Sequence, residues 1–277
     1  MLFTNRRLRV VHAAMYESIT ADHQFPLPPE NIYGHTKKLR FIMAQIENYR
    51  SSRTGPISVL DFGCGNGEAV SRFLIGNDVD YTGVDIHQPS LEHARRCFGS
   101  ERAIFTDRVP EDKLFDVIVY ADVIEHLPDP RQVLADHAKL LKEGGIVVGA
   151  VPNGYGPFEN ERRIDRLLHL TPALAAIVRV KRRWFGVRSG CIDELPYNSE
   201  CGHVQFFTKR SLIRLLSSVG YHVMRFAHGA FLGAPFSEQT FLRPRFIVNA
   251  NARIADILPH WMVSTWYFAA CKGGDNV

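Results

Sequence analysis

The sequence lacks any apolar run long enough to cross a bilayer. Stretches such as Ile146-Val147-Val148-Gly149-Ala150-Val151 reach only a handful of residues, against the roughly 20 that a transmembrane helix requires. It is also poor in cysteine. Cys64, Cys97, Cys191, Cys201 and Cys271 are odd in number, widely spaced and form no C-x-x-C pair. That excludes a disulfide framework and a structural zinc cluster, and it leads to the expectation of a reducing cytoplasm. Behind Arg6, Arg7 and Arg9 stands no apolar run of signal-peptide length, so the start is read as mature chain. No internal repeat and no low-complexity tract interrupts the sequence. Neither charge sign dominates, because 33 Lys/Arg against 29 Asp/Glu leave a net charge of only +4.

What is present is the make-up of a globular chain. Its 277 residues, 45% hydrophobic and 22% charged, suffice for one large domain or two small ones. The charge is local. Residues 161–190 carry Arg162, Arg163, Arg166, Arg179, Lys181, Arg182, Arg183 and Arg188 against Glu161 and Asp165, a net of +6, so the remainder is about −2. A generally basic nucleic-acid binder is thereby excluded, and one basic patch needs an explanation.

Ile32, Leu39, Ile42, Met43 and Ile46 lie at helical spacing, which predicts a helix over 31–50 with Asn31 as a cap. After a polar linker, strands are expected at Ile57–Phe62, Tyr81–Asp85, Ala103–Phe105, Phe115–Ala121 and Ile146–Val151. Helices are expected between them at Glu68–Leu74, Pro89–Cys97 and Arg131–Leu141. Alternation at this pitch means βαβ units, and near-continuous apolar strands mean a parallel sheet covered on both faces. From Pro152 loop chemistry takes over for about fifty residues. The pattern then resumes with a Thr208-capped helix through Ser218, a strand from Tyr221 and a terminal strand Trp266–Cys271. Two late strands without a long helix between them suggest an antiparallel edge pair. The stretch Ile254–Trp266 is expected to cover the sheet edge. The division is 1–52 as an N-terminal helical extension and 53–277 as the main domain, with 153–202 as an insertion.

Most chemistry per residue sits in Asp61-Phe62-Gly63-Cys64-Gly65-Asn66-Gly67-Glu68. Glycines at a strand-to-helix turn let the backbone approach a ligand and aim amide donors at it. A dinucleotide fingerprint G-x-G-x-x-G would need glycine where this chain has Glu68, which counts against the alternative of an NAD(P)-dependent oxidoreductase. Asp61 beside the turn would repel a pyrophosphate and attract the cationic amino-acid end of S-adenosylmethionine. Asp85, 18 residues beyond Gly67, can take both hydroxyls of a ribose.

With Gly83-Val84-Asp85 and Phe115-Asp116-Val117-Ile118-Val119-Tyr120-Ala121-Asp122-Val123-Ile124-Glu125-His126-Leu127, these residues resemble the Rossmann-like S-adenosylmethionine-dependent methyltransferases. The resemblance covers roughly 57–152 and 203–271. It implies a doubly wound, mostly parallel α/β sheet of seven strands with the last antiparallel, and a cofactor across the carboxyl ends of the first two. Asp61, Gly63, Cys64, Gly65, Gly67, Asp85, Ile86, Asp107 and Asp122 form the expected cofactor-binding set, Asp107 near the adenine.

Asp122, Glu125 and His126 follow the fourth strand at i, i+3 and i+4, so a helical turn would put them on one face. Methyl transfer from a sulfonium is an in-line displacement with a neutral leaving group, leaving the protein to align and deprotonate the acceptor. His126 is the expected general base, and Glu125 and His203 complete the catalytic set. The arrangement looks like the O-methyltransferases of ubiquinone precursors or RNA 3′ ends that use a divalent metal through E-x-x-E-H and a later histidine. Asp122 stands where that motif has Glu. A metal is therefore not the favoured reading and no metal ligand is assigned. The basic insertion is read as a lid for an acceptor such as a small molecule, glycan or lipid, with peripheral membrane contact through 161–190; a solvated basic face is the bland alternative. RNA is the weaker acceptor, for want of a basic groove with interleaved aromatics. The expected activity is O-methylation, with a catalytically silent S-adenosylmethionine-binding module as the other alternative.

Overall fold

Successive residues of a strand face opposite sides of a sheet, and here each side meets its own apolar layer. Val59, Val117 and Val119 pack with Leu39, Ile42, Phe73 and Leu91. Their strand neighbours Leu60, Ile118 and Tyr120 pack with Leu134, Leu212 and Leu216. Each fully buried aliphatic or aromatic side chain contributes about 1.5–3 kcal/mol, so these two layers dominate the stability. The structure is a computed structural model that describes residues 26–76, 78–169, 195–196, 202–233 and 244–273, with backbone only at 164–169.

The sheet has seven strands: β1 (Ile57–Phe62), β2 (Val79–Val84), β3 (Ala103–Thr106), β4 (Phe115–Ala121), β5 (Leu141–Pro152), β6 (Tyr221–His228) and β7 (Thr265–Lys272). Their order is β3-β2-β1-β4-β5-β7-β6. β1 to β5 pair in parallel. β7 runs antiparallel to both β5 and β6, which leaves β6 at the outer edge. This is the doubly wound, mostly parallel sheet that the alternation of elements implies. Helices α1 (His35–Arg50), α2 (Ser71–Leu74) and α3 (Gln88–Phe98) lie with the first layer, and α4 (Pro130–Leu140) and α6 (Lys209–Ser218) with the second; α5 is Pro157–His169 and α7 Arg245–Ile254. Leu39, Phe41, Ile42 and Met43 of α1 belong to the same core as the sheet.

Three local expectations change. The helix over 31–50 starts only at His35, because Gly34 takes a left-handed φ of 74°. Asn31 Oδ1 accepts from the N–H groups of Tyr33 and His35, and the Glu30 carboxylate accepts from those of Thr36 and Lys37. The helix expected from Glu68 begins at Ser71. Gly67 at φ 82° and an Asn66 side chain that accepts from Glu68 N hold the chain outside helical dihedrals until then. Within 254–266, Ala255, Leu258 and Val263 do pack on the sheet, but Ile257 and Trp261 are 74% and 63% exposed.

His137 of α4 is buried, its Nδ1 2.8 Å from the hydroxyl of buried Tyr120 and its ring edge-on to Phe62. Burial lowers its pKa to about 4. His35 at the start of α1 is likewise held at about 4, by burial first and then by the charge of Lys38. The unfolded chain binds these protons near pH 6.5, so between pH 6.5 and 4 the unfolded state holds more protons and stability falls as pH falls. For His137 that loss amounts to about 3 kcal/mol at about 1.4 kcal/mol per pH unit. Urea midpoints at pH 7 and pH 5 check this. The decline should be shallower in His137→Gln, and a decline parallel to wild type would remove His137 as its source.

Candidate functional site

The strand order reverses at β1, between β2 and β4, and open α/β sheets bind ligands in the crevice beyond the carboxyl ends at such a point. Residues 63–67, 85–86, 107, 122–126 and 153–159 all follow carboxyl ends of strands.

The glycine turn is tied down by its own backbone. Gly63 N and Cys64 N donate to Val84 O, Gly67 N donates to Cys64 O, and Gly65 N donates to Asp85 Oδ2 at 2.8 Å. The amides of the named glycines are thus spent within the protein and are not aimed at a ligand. What glycine supplies is shape. Gly63 and Gly67 sit at φ 78° and 82°, and a Cβ at Gly63 would lie 2.2 Å from Val123 Cγ2. Cys64 is buried and packs against Gly83; burial pushes its thiol far above the usual range.

Asp61 lies beneath this turn, 1% exposed, with Oδ2 accepting from the Tyr81 hydroxyl at 2.6 Å and the Ser71 hydroxyl at 3.0 Å. Burial raises its pKa to about 6 against the pull of these two bonds. Asp85 accepts from Gly65 N and, through Oδ1, from His87 N at 2.9 Å. Each of its oxygens keeps a second lone pair for a ribose hydroxyl. Ile86 is 78% exposed beside it. Asp107 is exposed and accepts from the Gln88 amide at 3.3 Å.

After β4 the backbone turns through Asp122 at φ 58°, the one non-glycine residue with positive φ among those described. Such a conformation costs about 1–3 kcal/mol. Asp122 N donates to Ala150 O, and its carboxylate accepts from Lys38 of α1. The expected single face of Asp122, Glu125 and His126 is therefore not formed. Asp122 stands outside the short helical turn Ile124–His126 and faces Lys38.

Glu125 and His126 instead meet His203, with one donor atom from each lying within 4.8 Å of the others. The segment after the insertion is stitched to this turn: Val204 N and Gln205 N both donate to Glu125 O at 2.9 Å, and Gln205 Nε2 donates to Leu127 O. His126 Nδ1 is 3.1 Å from Gly202 O, which can only accept, so Nδ1 carries the proton and Nε2 the lone pair. Burial lowers the His126 pKa, outweighing that carbonyl. Glu125 is 1% exposed and its Oε2 has no hydrogen-bond partner among the described residues. Burial, then the charge of Asp122, pushes its pKa well up.

Two further residues carry no signature in the sequence. Glu159, in the first turn of α5, is 1% exposed, and its Oε1 lies 2.6 Å from His203 Nδ1. Burial raises its pKa, but His203, Arg162 and Arg163 bring it below the usual glutamate range. Lys38 is the other. Of the basic patch, Arg162 lies over Phe158 and Arg163 over Tyr155 and Phe206, and Arg163 also donates to Gly154 O. Arg179, Lys181, Arg182, Arg183 and Arg188 lie outside the described residues, as does the side chain of Arg166. Pro196 O accepts from Asn66 and Ser90, so the insertion returns across the glycine turn.

Sheet order, glycine turn, Asp85 and the turn after β4 form the Rossmann-like fold and site that the resemblance to S-adenosylmethionine-dependent methyltransferases implies. The chain belongs to the methyltransferase-domain family, whose model matches residues 33–225. Among curated proteins it is 34% identical over 130 residues to 27-O-demethylrifamycin SV methyltransferase of Amycolatopsis mediterranei, covering 43% of this chain and 48% of that protein. It is 35% identical over 129 residues to ubiquinone biosynthesis O-methyltransferase of Pectobacterium atrosepticum, covering 42% and 53%. The chain thus spans about half the length of these relatives. A putative sarcosine dimethylglycine methyltransferase from Galdieria sulphuraria superposes with TM-score 0.52 at 17% identity, covering 87% of this chain and 86% of that one. The cyclase SpnF gives TM-score 0.50 at 14% identity over 96% and 94%. At such identities the likeness is one of fold alone. Among the described residues no helix is long and apolar enough to cross a membrane.

Proposed function

We propose that this chain transfers a methyl group from S-adenosylmethionine to a hydroxyl of a small-molecule, sugar or lipid-linked acceptor. The observation that carries this reading is the free Nε2 lone pair of His126, at the carboxyl end of β4 beside the glycine turn. Asp85 binds the ribose, with Ile86 and Asp107 toward the adenine. The Lys38–Asp122 pair sets a cation and a carboxylate side by side, a match for the zwitterionic amino-acid end of the cofactor. Asp61, locked by Tyr81 and Ser71, braces the turn. The acceptor enters beside α5, where Arg162 and Arg163 favour a group of negative charge. His126 takes the acceptor proton as the methyl moves. The names of both curated relatives favour oxygen as the atom methylated.

The test is incubation with methyl-labelled S-adenosylmethionine and cell extracts, followed by mass spectrometry. A labelled product one methyl heavier, missing from a knockout strain, is the expected result. Cofactor binding without any labelled product would leave a silent binding module. Calorimetry with S-adenosylhomocysteine against NAD separates the oxidoreductase alternative.

A second reading rests on the unpartnered buried Glu125 Oε2 beside two imidazoles, a donor set that suits a divalent cation. Glu125, His126 and His203 would hold the ion, which would lower the pKa of an acceptor hydroxyl. Full activity of chelator-treated, repurified protein without added metal would remove this reading.

A further inference from the structure

We propose that Glu159 is a positioning residue for His203, fixing which ring nitrogen carries the proton and how the ring stands in the site. The inference rests on the methyl-transfer reading. Glu159 lies near the start of the insertion and His203 directly after its end, 44 positions apart, and they meet at 2.6 Å between Oε1 and Nδ1. A carboxylate has no proton to give, so Nδ1 donates and Nε2 is the nitrogen left to accept. Arg162 Nη1 also lies 3.5 Å from the same Nδ1. It is the weaker neighbour by 0.9 Å, and a guanidinium cannot accept from an N–H. Its place is to support the carboxylate, 3.8 Å from Oε1.

The ring orientation follows from the same contact. His203 packs against His126 with centroids 4.9 Å apart and planes at 68°, and against Phe158 on its other side at 6.0 Å. Ring packing alone leaves a half-turn of the imidazole open, since the flipped ring has nearly the same shape. Among the described residues the short contact that distinguishes the two orientations is the bond to Glu159. Glu159 is 1% exposed and its Oε2 has no partner among the described residues, an arrangement that costs stability and is unneeded for closing a surface loop. Carboxylates that orient a metal-ligating imidazole in this way are worth about 10–100-fold in metal affinity or activity, and the same scale is expected for the orientation of His203.

The test uses the full chain, labelled with nitrogen-15 at histidine and saturated with S-adenosylhomocysteine. The His203 ring signals are assigned by their loss in His203→Gln. The expected spectrum, recorded at a pH high enough for a singly protonated ring, shows His203 carrying its proton on Nδ1. In Glu159→Gln and Glu159→Leu the Nε2-protonated form appears, while Glu159→Asp keeps the wild-type form. Transfer of labelled methyl from S-adenosylmethionine to product in cell extract should fall about 10–100-fold in Glu159→Gln with the KM for S-adenosylmethionine unchanged. An Nε2-protonated ring in wild type, or a spectrum unchanged in both Glu159→Gln and Glu159→Leu, overturns the proposal. Glu159→Gln conserves volume, so it serves should the leucine variant not fold. The spectrum needs no acceptor. A chain that methylates nothing fails the functional reading and leaves the tautomer result standing, whereas an active chain with an unmoved tautomer fails this inference alone.

Discussion

Gly63→Ala should abolish cofactor binding, with S-adenosylhomocysteine affinity falling by about 100-fold or more. Two costs add at this position. A left-handed backbone costs an L-residue about 1–2 kcal/mol, and the new Cβ would stand 2.2 Å from Val123 Cγ2 and 3.0 Å from Val123 Cβ, the second of which rotation of the valine side chain does not move. Overpacking of this kind costs about 1–3 kcal/mol, and about 1.4 kcal/mol is a tenfold change in affinity. Relief requires moving either the glycine turn or Val123, which sits between Asp122 and the Ile124–His126 turn, so the crevice at the carboxyl ends of the strands deforms either way. Gly65→Ala is the control. Its φ of 56° carries the backbone cost, but nothing lies within 4 Å of the added carbon. Calorimetry on both variants, with thermal melts to confirm folding, decides the matter; wild-type affinity in Gly63→Ala would remove the steric account of the turn.

His126→Ala should lower turnover by about 10²–10⁴-fold, the range that a positioned general base contributes, while cofactor affinity stays within a few-fold. The side chain is 23% exposed and is tied to the protein by its bond to Gly202 O, so its loss leaves no large cavity. Single-turnover transfer of labelled methyl is the measurement. Turnover within tenfold of wild type would shift the base to another group. Glu125→Gln adds a discrimination. The amide keeps the shape of the buried side chain and costs little turnover when no metal is involved, whereas a metal site would lose a carboxylate ligand.

Much of the fold was legible because its signals are local. β4 is Phe115–Ala121 in the sequence pattern and in the structure, since a continuous apolar run flanked by charge fits only a central parallel strand. Thr208 caps α6 as its residue type foretells, its hydroxyl accepting from Ser211 N. The glycine turn, Asp85 and the Glu125–His126 pair were legible for the same reason. Glu159 and Lys38 were not. Each acts through a partner far along the chain, 44 positions to His203 and 84 to Asp122, and no periodicity encodes such a meeting. The start of α1 was missed because Glu30 caps it from a turn earlier, a contact set by Gly34. Asp122 departed from the expected face because a left-handed residue breaks the helical spacing on which that expectation stood.

The clasp between Glu159 and His203 has a consequence for how acceptor preference can change over time. Among the described residues the two ends of the insertion are held together by the Glu159–His203 contact and by Gly154 N donating to Phe207 O, so they are fixed to each other. Closing a loop costs only about 0.6 kcal/mol more for each doubling of its length. A change in the number of residues between them therefore costs little in chain entropy, while the contact between Glu159 and His203 is kept.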